Sequence, residues 1–453
     1  MNPESFLIIF LPFKIWWWLF LPVFLYFICE NLYLYWLRWK IWYKEQEWVI
    51  LEIIPPAEIE KPFRAMEYLF ASLWAIYGRS DWKGKWCEGV LPCGPYWFSF
   101  EIISKEGEVH FYLRLPKEHH QYAETVIHTH YPEAEVFEVE DYTKELPQNL
   151  PNDTYDLKGE DYIFKESDYY PIKIYKFFEA GAYKFFETGI IEEKLERRID
   201  PLSLLMEGLT RLKKGEYFWF QVVAAPITNK DIPWQDEAKK MVDVLSKRAE
   251  PIIKKGSIFQ DPIDLIKEFL ILCKETAKTI IYEVILGLFF PSSAEEKKPA
   301  ERKLPIITPG EDIIIKAIEE KIAKPAFRSY LRALYIFKKD AYNAANASLA
   351  RNYFVNFSAE NLNAILLWPQ TRPSVRFFFK ERRAYLRKKL LFERYIKRFP
   401  SLYPKLYGKG TIILNIEELA TIFHFPTQAV FLPPGVPRVL APKVMPPPGI
   451  PTE

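Results

Sequence analysis

Residues 96–115, YWFSFEIISKEGEVHFYLRL, decide the fold. Apolar and polar side chains alternate over 96–103 and again over 108–115, the period of a half-buried strand, and Ser104-Lys105-Glu106-Gly107 supplies the turn between them. Working outward, 62–77 (PFRAMEYLFASLWAIY) sets Phe63, Met66, Phe70, Leu73, Trp74 and Tyr77 on one helical face, with Pro62 suited to the first turn. Downstream, a helix over 117–130 precedes a third alternating stretch, 134–140 (AEVFEVE). The order α-β-β-α-β predicts an α/β (α+β) fold, with helices on one face of a mostly antiparallel sheet and a first ferredoxin-like unit over 46–142.

An acidic linker is expected at 143–170, and a second unit of the same kind at 171–371. Its elements are a strand at 171–178 (PIKIYKFF) and a helix capped by Asp200 with Pro201 in its first turn. That helix turns Leu202, Leu205, Leu209 and Leu212 inward and stops before Gly215. A strand at 216–225 follows, and Thr308-Pro309-Gly310-Glu311 opens another helix as a capping box ahead of a strand at 327–337. The stretch 229–307 reads as a helical insertion. Residues 372–410 read as a basic amphipathic helix, and 411–453 as a strand, a helix and a tail with nine prolines between Pro426 and Pro451.

The 453 residues carry 61 basic and 59 acidic side chains, a net charge of +2 that hides two poles. Residues 133–168 hold 12 acidic and three basic groups, whereas 372–409 hold 13 basic and two acidic. With 49% hydrophobic residues the chain is no disordered or collagen-like polymer, and four cysteines exclude a disulfide-stapled scaffold.

Six of the 14 tryptophans fall in the first 42 residues. There, 6–29 (FLIIFLPFKIWWWLFLPVFLYFIC) contains one charge, Lys14, and as a helix would measure about 36 Å, enough to span a bilayer once. No basic residue precedes the run and no small-x-small site follows it, so 1–45 is expected to be an uncleaved anchor with its interfacial segment. Trp36, Arg38, Trp39, Lys40 and Trp42 suit the headgroup layer, and the cations following the span place the C-terminal portion in the cytoplasm, at the cell inner membrane.

No catalytic, cofactor-binding or metal-binding set is expected, and the chain is read as non-enzymatic. A phosphate-cradling loop needs G-x-x-x-x-G-K-[ST]; the nearest stretch, Gly78 to Gly84-Lys85-Trp86, has one residue too many and lacks the hydroxyl that would hold magnesium. His120, Glu124 and His128 share a helical face without further ligands at recognisable spacing, and His110 is expected to be exposed. Cys87 and Cys93 lie in a loop, while Cys29 and Cys273 read as packing residues in apolar runs.

The basic helix is the main functional candidate. Arg376, Lys380, Arg382, Arg383, Arg387, Lys388, Lys389 and Arg394 alternate with aromatic and aliphatic residues. Such a face could pair with the acidic 133–168 segment of the same or another protomer, lie on anionic lipid, neutralise nucleic-acid phosphates, or simply be solvated.

Seven segments carry a resemblance: EIIPPAEIEKPFRAMEYLFASLW, FSFEI, VHFYLRLPKEHHQYAETVIHTHYPEAEV, DPLSLLMEGLTRLKKGEYFWFQVVAAP, TPGEDIIIKAIEEKIAKPAFRSYLRALYI, NLNAI and ILNIEELATIFHFP. Together, over 50–445, they resemble the N-terminal membrane-anchored region of bacterial type IV secretion and conjugative DNA-transfer ATPases. The run Asn415-Ile416-Glu417-Glu418-Leu419-Ala420 with His424-Phe425-Pro426 is its most specific part. The resemblance implies an anchor and an α/β region followed by a P-loop motor, and these 453 residues hold no such motor. It therefore implies a membrane-anchored cytoplasmic scaffold or docking component of a type IV secretion-like or DNA-transfer machine. Its expected partner is a separately encoded motor ATPase or further copies of itself. The alternative expectation is a nucleic-acid-binding membrane protein that uses 372–409.

Overall fold

The computed structural model describes residues 46–56, 59, 62–77, 97–179, 200–246, 308–375, 379–399 and 410–426, together with Leu25, Cys29, Leu32, Tyr33, Trp36, Leu37 and Ile41. The chain forms two compact units, Met1–Ala238 with Ala317–Glu453, and Lys239–Lys316. In the smaller one, the described residues include the expected capping box: the Thr308 amide donates to Glu311 Oε2 at 2.9 Å, and the Glu311 amide to Thr308 Oγ1 at 3.3 Å.

The larger unit is mixed α/β, built on a nine-stranded sheet in which every paired strand is antiparallel. The strands are β1 (Trp48–Ile54), β2 (Phe98–Lys105), β3 (Glu108–Pro116), β4 (Glu135–Val139), β5 (Tyr155–Phe164), β6 (Glu216–Ile227), β7 (Ala326–Lys338), β8 (Ile365–Leu367) and β9 (Ile412–Asn415). The helices are α1 (Pro62–Trp74), α2 (His120–His130), α3 (Lys176–Glu179), α4 (Ser203–Thr210), α5 (Trp234–Leu245), α6 (Pro309–Ile322), α7 (Leu349–Val355), α8 (Lys380–Ile396) and α9 (Ile416–Ile422).

Strand order is β4-β1-β3-β2-β6-β7-β5-β8, with β9 on β7 beyond the end of β5. Each half of this order repeats one connectivity. In the first half, β1-α1-β2-β3-α2-β4 gives the order 4-1-3-2; in the second, β5-α4-β6-β7-α7-β8 gives 4-1-3-2 again, read from the other edge. The halves join where β2 pairs with β6, from Phe98↔Ala224 to Lys105↔Tyr217. The two expected units are thus two halves of one continuous sheet.

One face of the sheet carries the main core. The buried side chains of α1 (Phe63, Met66, Leu69, Phe70, Leu73) and of the α4 region (Leu202, Leu205, Leu209, Leu212) face it as their helical period requires. All seven residues of α9 are buried there, and Phe423 and Phe425 lie 5.3 and 5.4 Å from Phe100 and Phe111, ring centre to ring centre. The opposite face bears a second core, in which Leu391, Phe392 and Tyr395 of α8 and Tyr142, Leu146 and Leu150 cover Ile103, Leu157, Trp219, Leu334 and Ile336.

Several expectations need correction. The stretch 143–170 is not only a linker, because it contains β5, a strand paired on both sides. Residues 171–178 form no strand: the amides of Ile172 and Tyr175 bond to Glu418 Oε1 and Thr421 Oγ1, so their alternation answers to α9 rather than to a sheet. β1, unforeseen, completes the first half by lying between β3 and β4. Asp200 caps a turn ahead of α4, accepting from the Leu202 amide at 2.8 Å, and the helix itself starts at Ser203. The basic helix occupies Lys380–Ile396, shorter than 372–410. The expected span at 6–29 lies outside the described residues except for Leu25 and Cys29, both exposed; among the described residues no helix is long and apolar enough to cross a membrane.

Candidate docking surface

α8 divides along its length. Its C-terminal turns bury Leu391, Phe392 and Tyr395 on the sheet, where Gly159 of β5 leaves the space that Leu391 fills: a Cβ there would lie 2.0 Å from Leu391 Cδ2. Its N-terminal turns are mostly exposed among the described residues. Phe379, just ahead of the helix, is 79% exposed, and Tyr385, Leu386 and Leu390 are exposed as well.

The expected cations divide in the same way. Lys380, Arg382, Arg383 and Lys389 are exposed, whereas Arg387, Lys388 and Arg394 are half-buried. Lys388 Nζ donates to both carboxylate oxygens of Asp156 at 2.7 Å, and Arg387 Nη1 to the Arg372 carbonyl at 2.7 Å. Burial, then the neighbouring Arg332, lowers the pKa of Arg394. Arg376 lies outside the described residues, as do Arg38, Trp39, Lys40 and Trp42, while Trp36 is exposed. Positions 382, 383, 386, 389 and 390 follow helical spacing, so cations and leucines share one stripe.

Beneath the other end of α8 runs a feature that sequence reading missed. Glu52, Tyr112, Glu101, Gln221, Arg332 and Asp161 are direct cross-strand neighbours over β1, β3, β2, β6, β7 and β5, a polar row across the face that α8 covers. Glu101 is saturated. Its Oε1 accepts from Ser99 Oγ, Gln221 Nε2 (2.9 Å) and Arg398 Nε (3.0 Å), and its Oε2 from Tyr142 OH (2.7 Å) and Arg398 Nη2 (3.2 Å). Arg398, 1% exposed, also reaches Asp141 Oδ2 at 2.6 Å. Burial alone would raise the Asp141 pKa, but the Arg398 charge and its hydrogen bond prevail and hold it below the usual carboxylate range. Arg332 Nε donates to Asp161 Oδ1 at 2.6 Å. Such a network can clamp the turn after α8 and the 141–142 turn onto the sheet; its carboxylate has no room for a further ligand. A signal was present in sequence: Glu101, Gln221 and Arg332 interrupt the apolar faces of FSFEIIS, FWFQVVA and YLRALYI.

The remaining candidates are placed as follows. His110 is half-buried rather than exposed, with Nδ1 2.6 Å from Glu52 Oε1 and its ring stacked on Tyr112. His120 Nε2 is 4.0 Å from Glu124 Oε2, and among the described residues no three His, Cys, Asp or Glu side chains converge on a metal-sized site. Cys87, Cys93 and Cys273 lie outside the described residues, and Cys29 is exposed rather than packed. The run at 415–426 is structural in its contacts: Asn415 and Glu418 form a capping box, Glu418 pairs with the equally buried Lys321 at 3.0 Å, and His424 Nε2 meets Asp200 Oδ1 at 2.9 Å. No known family model and no curated protein matches the chain.

Proposed function

We propose that the chain is a non-enzymatic, membrane-anchored docking component of a type IV secretion-like or DNA-transfer machine. In this reading 6–29 is a single-pass anchor in the cell inner membrane, and two ferredoxin-like halves face the cytoplasm. The exposed half of α8 binds a protein partner, either a separately encoded P-loop ATPase or further copies of the chain. The observation that carries it is the division of α8: Leu391, Phe392 and Tyr395 fix the helix to the sheet, while Leu386 and Leu390 remain exposed beside Arg382, Arg383 and Lys389. Exposed aliphatic side chains gain little from a phosphate backbone and much from a protein surface.

The test is affinity capture of the full chain from crosslinked membranes, wild type against R382A/R383A/K389A. The reading expects a defined protein partner or oligomer that the triple variant loses, and it fails if the two captures are the same. The four exposed cations favour nucleic acid as the second reading. For that reading the triple variant should reduce the salt dependence of DNA binding by about three phosphate contacts.

A further inference from the structure

The acidic β4 edge and the exposed cations of α8 lie over different parts of the sheet. β4, at one end, exposes Glu135 and Glu138, with Glu133 and Glu140 exposed at its flanks, and between them Phe137 is 48% exposed. Among the described residues Glu133 and Glu135 form no ion pair, and Glu140 has only a 3.9 Å approach to the exposed Lys144. At the other end, α8 rests on β5 through Leu391 over Gly159 and Lys388 to Asp156, so its exposed turns lie toward the β5–β8 side.

These surfaces cannot meet within one molecule. Six interstrand steps separate β4 from β5, on which α8 rests, about 29 Å at roughly 4.8 Å each, and Arg or Lys reaches far less than that. Among the described residues, Lys388 pairs with the acidic 133–168 segment through Asp156. Lys380, Arg382 and Lys389 make no ion pair among the described residues. Acidic side chains along an edge strand also oppose sheet extension by another strand, and so favour a helix as the element received there.

We infer that the acidic β4 edge of one copy receives the cationic stripe of α8 from the next, with Phe137 against Leu386 and Leu390. The contact is heterologous, joining two different surfaces, so repetition produces a ring when the rotation closes and a filament when it does not. This inference rests on the docking reading above and names its partner as a second copy of the chain.

The test is sedimentation of the full chain in detergent at about 50 mM and about 500 mM salt, since exposed ion pairs weaken with screening. Wild type is expected to form species larger than the monomer at low salt and to lose them at high salt. R382E/R383E/K389E and E133K/E135K/E138K should each be monomeric. Their equimolar mixture should assemble again, because each reversed surface then meets its complement on the other variant. All these changes are on exposed side chains, and unchanged melting temperatures confirm that the variants are folded. A monomeric wild type at low salt, variants that assemble like wild type, or a mixture that stays monomeric would each overturn the inference. If the wild type is monomeric while R382A/R383A/K389A still loses a different captured protein, docking stands and self-assembly falls; if neither effect is seen, both fall.

Discussion

Asp168 is half-buried, and desolvation pushes its pKa up to about 6 against the opposing charge of Lys321. A carboxyl raised above its ordinary 3.8 favours the protonated folded state. Its contribution is therefore complete below about pH 4 and lost as pH rises through about 6. From about pH 5 to about pH 8 that loss is roughly 1.4 kcal/mol, and Asp168→Asn, which cannot titrate, should not show it. Urea unfolding of both proteins at the two pH values checks this; equal pH dependence would refute it. Arg398→Met strands Glu101 in the interior and takes the partner of the half-buried Asp141, and should cost roughly 3–5 kcal/mol of unfolding free energy, of which Glu101→Gln in the same chain should restore a part. At this scale the sequence marked Glu101, Gln221 and Arg332 as polar residues on apolar faces. It did not show that they align, because their register depends on strands far apart in the chain.

The period and charge of α8 were legible, but the division of the helix was not. Leu386, Leu390 and Leu391 read alike in sequence, and only the sheet beneath decides which of them is covered. Leu391→Ala or Phe392→Ala should lower stability by about 2–5 kcal/mol through lost burial and the cavity left behind. Leu386→Ala and Leu390→Ala should stay within about 0.5 kcal/mol, and chemical denaturation of the four variants measures the contrast. β5 was missed for a related reason. In YDLKGEDYIF the alternation is broken at Gly159 and Asp161, where the structure places Leu391 against a bare backbone and the Arg332 partner. β1 was not foreseen, since a seven-residue run that is apolar but for Glu52 does not declare its state without neighbours.

For the whole molecule, the sequence suggested two similar halves, and the structure joins them through β2 and β6 into one sheet whose order reads the same from either edge. Hydrogen exchange should be slowest in β2, β6 and β7, which are paired on both sides and covered on both faces, and faster in the edge strands β4 and β8; uniform protection would contradict this layout. The same layout separates the acidic β4 edge from the cationic half of α8, which turns a net charge near zero into two complementary surfaces. The docking role stands or falls on whether this half of α8 meets a protein. A photoreactive residue placed at Arg382 in the full-length chain, in its native membrane, measures that directly, with the exposed Arg211 as the control position. A discrete protein–protein adduct is expected from 382 and none from 211. Adducts from 382 with lipid or nucleic acid alone, or equal adducts from both positions, would contradict the docking role.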